Sequence, residues 1–548
     1  MAETPKRPDA PWTESDRELF RRHGIALEEA QRQLELLHNP PPPAQLDRPA
    51  VPGDGVLQIP SGDEERLITG FEAASTAGRV TKMVPASGAA TRMFARLSPY
   101  LNRPADAHRE TIAARAAEGE PEASDLLELC QQIDRFAFRR DLDSALAATG
   151  APLAATLEAG DYGRVLRALL SLEAGDAAEQ AVVENAGEAQ QSGGLDYLRR
   201  PKGLIPFHEA AQGDARTAFE EHFHEALAYA RDSEGLCRLH FTVSPEHRER
   251  FQRQGEEVAQ RLQSQARFEI SYSVQDPATD TVALGEHGEP FRDRDENLLL
   301  RPGGHGSLIG NLERLLGDVV FIKNIDNVVP DHRKEATLRW KRILGGYLVE
   351  LQERIFSLLR SLDDPYQNSD SAVDAAAQFL IEHLAIRPED IPRGMDRSGW
   401  IFSRLHRPLR ICGVVVNRGE PGGGPFWVRD AKGERSLQIV EASQIDSSDS
   451  TQRKILAGST HFNPVDLVCG VRDFRGHPFQ LSRYVDPATA FVANKNFRGR
   501  PLKALEHPGL WNGAMARWNT LFVEVPAETF APVKTVFDLL RPEHQGAD

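Results

Sequence analysis

The sequence is poor in cysteine and contains no long apolar run. Its four cysteines, Cys130, Cys237, Cys412 and Cys469, are widely scattered, and none forms a CxxC pair. Neither a zinc knuckle nor a disulfide framework is therefore expected. No segment approaches the roughly 18 consecutive apolar residues of a membrane helix, and the N-terminal residues lack the apolar segment of a secretory signal. These absences predict a cytoplasmic protein that does not enter a membrane.

The chain also lacks an excess of basic residues. Among 548 residues, 65 are Lys or Arg and 81 are Asp or Glu, which gives a formal net charge of −16. Non-specific binding of nucleic acid needs a basic surface that neutralises phosphates, so nucleic acid is not expected as a partner. With 40% hydrophobic and 27% charged residues, the composition is that of an ordinary globular protein.

The first 55 residues are predicted to form a separate N-terminal arm. Ser15 and Glu18 have the spacing of a capping box, and the apolar pattern after them predicts a helix over 13–38 that is interrupted near Gly24. Residues 40–43 are all proline, which cannot continue a helix and predicts a stiff extended linker.

Residues 56–548 are predicted to form the main domain, of the α/β class. From position 79 onward, short apolar runs alternate with amphipathic segments, which favours a mixed, mostly parallel sheet. Two stretches with a helical pattern, 104–196 and 333–395, interrupt the alternation as insertions. The chain then becomes rich in strands; the predicted strands of the domain include 80–84, 204–207, 236–243, 268–274, 319–325, 410–417, 426–429, 437–441, 466–471 and 521–525.

The first candidate motif is a turn of small residues between the predicted strand 80–84 and a segment expected to be helical. Small side chains let a phosphate approach the backbone N–H groups, and an arginine near the start of the helix could neutralise it. The motif matches neither a Walker loop nor a GxGxxG fingerprint, and a tight turn without a ligand remains the alternative. It consists of Ala86, Ser87, Gly88, Ala89, Ala90, Thr91 and Arg92.

Three further motifs could carry chemistry. Lys202 stands between Pro201 and Gly203 just before an apolar run, which suits a lysine held on stiff backbone near a phosphate. Three of the four residues 303–306 are glycines, which allow close approach to a ligand, and the fourth is His305. Asp326 follows a buried strand, at the edge where open α/β sheets bind ligands, and its carboxylate suits Mg²⁺. A surface lysine, a structural histidine and a turn-capping aspartate are the alternatives.

The order of these motifs resembles the UDP-sugar pyrophosphorylases, the group of sugar-1-phosphate uridylyltransferases. The small-residue turn with Thr91-Arg92 is followed by Pro201-Lys202-Gly203, then Pro302 to Gly306, then Asn324 to Asn327. The segment Pro532-Val533-Lys534-Thr535 with Asp538-Leu539-Leu540 looks like the glucose-1-phosphate branch. The chain also looks like a bacterial group of domains of unknown function. The resemblance covers 79–540 in patches, and its first turn has fewer glycines than is usual in the family.

The resemblance implies a nucleotide-diphospho-sugar transferase (GT-A/Rossmann-like) fold and a set of roles. Uridylyl transfer from UTP to a sugar phosphate would release pyrophosphate, with Mg²⁺ as cofactor. The catalytic residues would be Arg92, Lys202 and Lys534, and Asp326 would bind the metal. Nucleotide-binding residues would be Ala86, Ser87, Gly88, Ala89, Thr91, Gln275, Gly304, His305 and Gly306, and substrate-binding residues Glu441 and Asn463.

Two other functions remain open at this point. A glycosyltransferase on the same fold would use an Asp-x-Asp triplet, and Asp293-x-Asp295 is such a triplet in a charged segment. A non-catalytic protein that binds a nucleotide or a sugar phosphate would agree with the altered glycine turn.

Overall fold

The computed structural model describes residues 12–171, 193–210, 213–394, 396–420 and 422–546. The end of the predicted insertion 104–196 therefore lies partly outside the described residues. The α-helices are, in chain order, α1 (Glu14–His23), α2 (Leu27–His38), α3 (Ser61–Thr76), α4 (Arg109–Ala117), α5 (Pro121–Gln131), α6 (Arg139–Ala148), α7 (Leu153–Glu158), α8 (Tyr162–Leu170), α9 (Ala218–Tyr229), α10 (Arg248–Arg261), α11 (Ile309–Arg314), α12 (Lys334–Asp363), α13 (Asp370–His383), α14 (Arg397–Leu405) and α15 (Ser450–Ala457).

The strands alternate with these helices over the first two thirds of the chain and dominate the last third. They are β1 (Gln45–Pro49), β2 (Val51–Pro52), β3 (Gly55–Leu57), β4 (Val80–Pro85), β5 (Pro206–Glu209), β6 (Ala215–Thr217), β7 (Leu236–Thr242), β8 (Arg267–Ser273), β9 (Thr281–Leu284), β10 (Leu300–Arg301), β11 (Val319–Lys323), β12 (Leu409–Val416), β13 (Gly423–Arg429), β14 (Arg435–Glu441), β15 (His461–Gly470), β16 (Phe491–Phe497), β17 (Arg500–Glu506) and β18 (Asn519–Glu524).

The chain divides into two compact units, and the first comprises 12–83, 273–322 and 341–527, apart from the undescribed residues within these ranges. Its main sheet has the strand order β2–β3–β18–β12–β15–β11–β4. The pairs β4–β11, β12–β18 and β3–β18 are parallel, whereas β12–β15 is antiparallel. Apolar side chains on these strands, such as Met83, Ile322 and Leu467, form its core. The predicted α/β class with a mixed, mostly parallel sheet and long helical segments is confirmed.

The second unit comprises 84–272, 323–340 and 528–546, apart from the undescribed residues within these ranges. Strands β7 and β8 are neighbours in it, and β5 pairs with β6 in an antiparallel ribbon. Helices α4–α8, all within the predicted insertion 104–196, share one apolar core with Ala90, Val328 and Val533. The division into an N-terminal arm and one main domain stays a prediction.

The N-terminal helices agree with the prediction except at their first residue. Helix α1 ends before Gly24, whose φ of 73° is left-handed and therefore favours glycine, and α2 follows at Leu27. The capping box is formed by Thr13 and Asp16, not by Ser15 and Glu18, because Thr13 is the last extended residue before the helix. The arm packs on β9 and β17 through an apolar cluster that includes Phe20 and Leu34.

None of the helices in the described ranges combines the length and the apolar character needed to cross a membrane.

Candidate functional site

The small-residue turn is held against the segment that carries Lys202. The N–H group of Lys202 donates to the carbonyl oxygen of Gly88 at 3.0 Å, and the N–H group of Ala90 donates to that of Arg200 at 3.2 Å. On its other side, the N–H group of Ala86 donates to the carbonyl oxygen of Thr242, at the end of β7. The turn is therefore fixed by backbone hydrogen bonds within the second unit.

The side chain of Lys202 joins two more segments of the same unit. Its Nζ donates to Asp326 Oδ2 at 2.8 Å and to the carbonyl oxygen of Val533 at 2.6 Å. The N–H group of Val533 in turn donates to the carbonyl oxygen of Asp326 at 3.1 Å. Gly88, Lys202, Asp326 and Val533, which we name the Lys202 cluster, come from four distant parts of the chain. The exposed fraction of the side chain is 13% for Lys202 and 21% for Asp326, so a ligand can still reach both.

Two further cationic residues assigned from the sequence lie beside this cluster along the chain. Lys534 follows Val533, and its side chain is exposed; its N–H group donates to Asp538 Oδ2 at 2.7 Å, just before the short helix Val536–Leu540. Arg92 is also exposed, at the end of the turn. Both are exposed cationic residues that lie close along the chain to members of the Lys202 cluster.

The turn differs from the prediction both in the helix that follows it and in the burial of two of its alanines. The segment after Ala89 is only a three-residue 3-10 helix, Ala90–Arg92, so the expected helix with its N-terminal dipole is absent there. The first N–H group of this helix, that of Ala90, instead donates to the carbonyl oxygen of Arg200. Ala86 and Ala90 are fully buried, so their methyl groups face the interior, whereas Ser87 and Ala89 are exposed and Thr91 Oγ1 donates to the carbonyl oxygen of Leu198.

Sequence reasoning missed a buried ion pair whose lysine, Lys323, precedes Asp326 by three residues. Lys323, the last residue of β11, places its Nζ 2.7 Å from Glu225 Oε1 on α9, and both side chains are almost completely buried. His222, one turn earlier on the same helix, lies with Nε2 3.1 Å from the carbonyl oxygen of Ile325. These contacts anchor the chain on both sides of residue 324, just before Asp326. A lysine in an otherwise apolar strand was the signal that could have revealed a buried acidic partner.

A second group of the assigned residues meets around Trp511 in the first unit. The ring of His305 stacks on Trp511 with 4.0 Å between centroids and 16° between planes. Burial raises the pKa of the Glu441 carboxyl, and a hydrogen bond from the Trp511 side chain opposes part of the rise. No sequence motif assigned a role to Trp511; the structure makes it the link between His305 and Glu441.

The glycines around His305 are needed for close packing. A Cβ atom on Gly306 would lie 2.2 Å from the carbonyl oxygen of Pro508, and one on Gly304, whose φ is +78°, would lie 2.5 Å from Glu506 Oε2. The glycine-rich segment therefore packs directly against 506–509.

Gln275 and Asn463 are placed by hydrogen bonds within the protein. Gln275 Nε2 donates to Asp280 Oδ1 at 3.4 Å. Asn463 is buried in β15, where its Oδ1 accepts from the N–H group of Val465 at 2.8 Å and its Nδ2 donates to the carbonyl oxygen of Gly413 at 3.5 Å. Asn463 thus supports the bend at Val465, a residue with a φ of +58°.

In the Asp-x-Asp triplet, the carboxylate of Asp293 accepts hydrogen bonds from the backbone of its own loop. Asp293 Oδ1 accepts from the N–H groups of Asp295 and Asn297 at 2.9 and 3.0 Å. Its carboxylate therefore stabilises an exposed turn, which is the role expected of an aspartate there if it does not bind a metal.

The donor set for Mg²⁺ is small. In the ranges that the structure describes, no group of three or more His, Cys, Asp or Glu side chains could hold a metal ion alone. Asp326 supplies one partly exposed carboxylate, which fits Mg²⁺ if the remaining ligands are water and substrate phosphates, the usual arrangement for this ion.

We expect the stability of the protein to decrease towards acidic pH partly through His305. Burial lowers the pKa of His305 to about 4, and its Nδ1 accepts a hydrogen bond from the N–H group of Leu510 at 3.0 Å, which a protonated ring cannot do. The unfolded state takes up this proton near pH 6.5 and the folded state only near pH 4, so the free energy of unfolding decreases as the pH falls between these values. The loss amounts to about 3 kcal/mol at pH 4 and below.

Urea unfolding of the wild type and of His305→Gln at pH 7, 5.5 and 4 measures this effect. The variant should lose less stability than the wild type over this range. A variant of the exposed His477, whose side chain is 74% accessible, should follow the wild-type profile. Parallel profiles for wild type and His305→Gln would show that His305 does not contribute.

Comparisons with known proteins give one family match and several structural similarities. A family model described as Domain of unknown function (DUF4301) matches residues 13–545. No curated protein matches the sequence. The similar solved structures include the UDP-N-acetylglucosamine pyrophosphorylase of Trypanosoma brucei, with 13% identity, a TM-score of 0.45, and 93% of this chain and 74% of that chain covered. The UDP-glucose pyrophosphorylase of Leishmania major, from a study of its open and closed structures, has 11% identity, a TM-score of 0.42, and coverage of 95% of this chain and 77% of that chain.

Proposed function

For this chain, which belongs to the family Domain of unknown function (DUF4301), we propose a sugar-1-phosphate nucleotidyltransferase activity with UTP as the favoured nucleotide. The observation that carries the proposal is the Lys202 cluster, in which one ammonium group is held between a carboxylate and a carbonyl oxygen beside a turn of small residues. The preference for uridine and for a sugar phosphate rests on the resemblance of the motifs.

The reaction needs positioning and charge neutralisation more than a protein nucleophile. An oxygen of the sugar phosphate attacks the α-phosphorus of UTP, a new P–O bond forms, and the bond to the bridging oxygen of the β-phosphate breaks to release pyrophosphate. Lys202 neutralises phosphate oxygens at the reacting centre, and Arg92 and Lys534 add positive charge from the exposed ends of their segments. Bound Mg²⁺ would neutralise further phosphate charge, with Asp326 as its protein ligand.

The resemblance assigns further residues, all in the first unit, to substrate recognition. The backbone at Gly304 to Gly306, together with Gln275, would face the base, and Glu441 and Asn463 the sugar. Burial raises the pKa of Glu441, and its carboxyl oxygens can accept hydrogen bonds from sugar hydroxyls.

Thermal unfolding with each nucleoside triphosphate and Mg²⁺, and then with UDP-sugars, is the first test. A ligand at a hundred times its Kd that binds only the folded state stabilises it by about 2.7 kcal/mol. We expect the midpoint to rise with UTP and UDP-sugars but not with the other triphosphates. A pyrophosphate-release assay with UTP and a panel of sugar phosphates then identifies the acceptor.

Each outcome of these assays has a distinct meaning. Stabilisation by UTP together with pyrophosphate release supports the proposed transferase. Binding without release from any sugar phosphate contradicts it and favours a non-catalytic binding protein. No stabilisation by any nucleotide contradicts both functions.

A further inference from the structure

A buried chain of hydrogen bonds connects the C-terminal end of the second unit to β5 and α9. His208, on β5, places its Nδ1 2.9 Å from Glu221 Oε1 on α9 and its Nε2 2.9 Å from Nδ1 of His544. The side chains of His208 and Glu221 are at most 1% exposed, and His544 is 4% exposed. The proposed reaction uses none of these three residues directly, although they are among the most deeply buried polar groups of the unit.

Glu221 also contacts the charged groups beside this chain of hydrogen bonds. Its Oε2 accepts a hydrogen bond from Lys334 Nζ, which also donates to Asp331 Oδ1 at 2.6 Å. Arg216 Nη1 lies 2.7 Å from Asp331 Oδ2 and 3.9 Å from Glu221 Oε2. Burial opposes the ionisation of Glu221, but the hydrogen bond with His208 and the charge of Lys334 outweigh it and lower its pKa. Glu221 is therefore a carboxylate at pH 7 and accepts a hydrogen bond from His208 Nδ1.

The contact between the two histidine rings requires them to share one proton. A distance of 2.9 Å between two ring nitrogens is a hydrogen bond only when one nitrogen carries a hydrogen and the other does not. Burial, followed by the nearby His208 and Arg541, lowers the pKa of His544 to about 3. The closed pair therefore excludes a second proton from the facing nitrogens, whereas a histidine exposed to water becomes protonated near pH 6.5.

His544 is attached to the segment that completes the Lys202 cluster. It forms a hydrogen bond with the backbone of Ala531, and the N–H group of Ala531 donates to Asn327 Oδ1 at 3.0 Å. Two residues later, the carbonyl oxygen of Val533 accepts the hydrogen bond from Lys202 Nζ at 2.6 Å. His544 and Asn327 therefore hold this segment immediately before it reaches Lys202.

We propose that His544 is a positioning residue of the proposed active site. Through its hydrogen bonds to His208 and Ala531, it fixes the segment whose Val533 carbonyl oxygen orients the ammonium group of Lys202. A displacement of about 1 Å at a reacting centre can cost about a hundredfold in rate, so the placement of this carbonyl oxygen matters for turnover. The effect on turnover rests on the proposed function, whereas the effect on the local structure is measurable without any substrate.

Steady-state kinetics of pyrophosphate release test the effect on turnover. The amide of His544→Asn can still form a hydrogen bond with His208, whereas the side chain of His544→Leu cannot. We expect His544→Leu to lower kcat about tenfold to a hundredfold and His544→Asn to retain most of the wild-type value. Wild-type turnover in His544→Leu, or an equal loss in both variants, would overturn the proposal.

Amide hydrogen exchange over residues 529–546, measured by mass spectrometry and corrected for intrinsic rates, tests the local structure. Because the pKa of His544 is about 3 in place and 6.5 when the segment is open, the equilibrium constant for opening should rise about twentyfold from pH 7 to pH 5. This rise should be much smaller in His544→Asn, and His544→Leu should open about tenfold or more already at pH 7, because it leaves a buried nitrogen of His208 unpaired. An unchanged pH dependence in His544→Asn would contradict the proposal.

His240→Asn is the matched control in the same unit. His240 is also buried, with its Nδ1 2.7 Å from Ser271 Oγ, and burial lowers its pKa to about 4. This variant should keep the wild-type pH dependence of exchange over 529–546; the same change as in His544→Asn would show a general effect and overturn the assignment of His544. A wild type that exchanges as expected but releases no pyrophosphate would contradict the proposed function and confirm only the local role of His544.

Discussion

Replacing Asp326 with alanine should reduce pyrophosphate release by at least about a hundredfold to a thousandfold, the usual cost of losing one charge-stabilising group at a reacting centre. The substitution removes the only carboxylate of the Lys202 cluster and therefore the proposed ligand for Mg²⁺. It should not unfold the protein, since the backbone of Asp326 keeps its hydrogen bond with Val533 and the side chain is partly exposed. Steady-state kinetics over a range of Mg²⁺ concentrations, with the unfolding midpoint measured in parallel, check both statements.

Asp318 offers a closely matched control just before the other end of β11. Its carboxylate is 24% exposed and lies 2.7 Å from Arg79, compared with 21% and 2.8 Å for Asp326 and Lys202. Asp318→Ala should therefore lose a similar amount of stability and keep its turnover. Full activity in Asp326→Ala, or equal loss of activity in the two variants, would show that Asp326 has no special role.

Replacing Lys323 with methionine should lower the free energy of unfolding by about 3–5 kcal/mol. The substitution removes the ammonium group that lies 2.7 Å from Glu225 Oε1, in a region where neither side chain is accessible to water. Removing one member of a buried ion pair exposes the full cost of desolvating the other. Urea unfolding of the wild type and the variant at pH 7 measures the difference.

The double variant Lys323→Met/Glu225→Met separates the ion pair from simple packing. Because both charges are absent, it should recover most of the lost stability. Lys495→Met, which breaks a surface ion pair with Glu506 at 3.0 Å, should cost at most about 1 kcal/mol. If the double variant is as unstable as Lys323→Met, the charge of Glu225 does not explain the loss.

The strongest predictions from the sequence concerned buried strands. The apolar runs at 80–84, 236–243 and 319–325 correspond to β4, β7 and β11 within two residues at each end. Such runs are informative because a strand covered on both faces needs apolar residues throughout. The long helix α12, observed at Lys334–Asp363, lies within the stretch 333–395 whose pattern predicted helix.

Strands with mixed or polar sequences were missed. The hairpin β16–β17 was not predicted, because exposed polar residues such as Asn494 and Lys495 interrupt its apolar pattern. Similarly, the strand predicted over 204–207 begins only at Pro206 as β5, because residues 202–204 form a 3-10 helix. In these segments pairing with distant strands decides the conformation, and local propensity does not.

The sequence by itself determined which residue types follow each strand, and therefore that lysine, aspartate and glycine stand at strand ends. It could not show that Gly88, Lys202, Asp326 and Val533 meet, because such contacts depend on how segments far apart along the chain pack. Only the tertiary structure decided that Trp511 joins His305 to Glu441 and that Lys323 pairs with Glu225. The physical reason is that apolar burial is readable from local periodicity, whereas the pairing of charges and rings depends on distances that the folded chain alone sets.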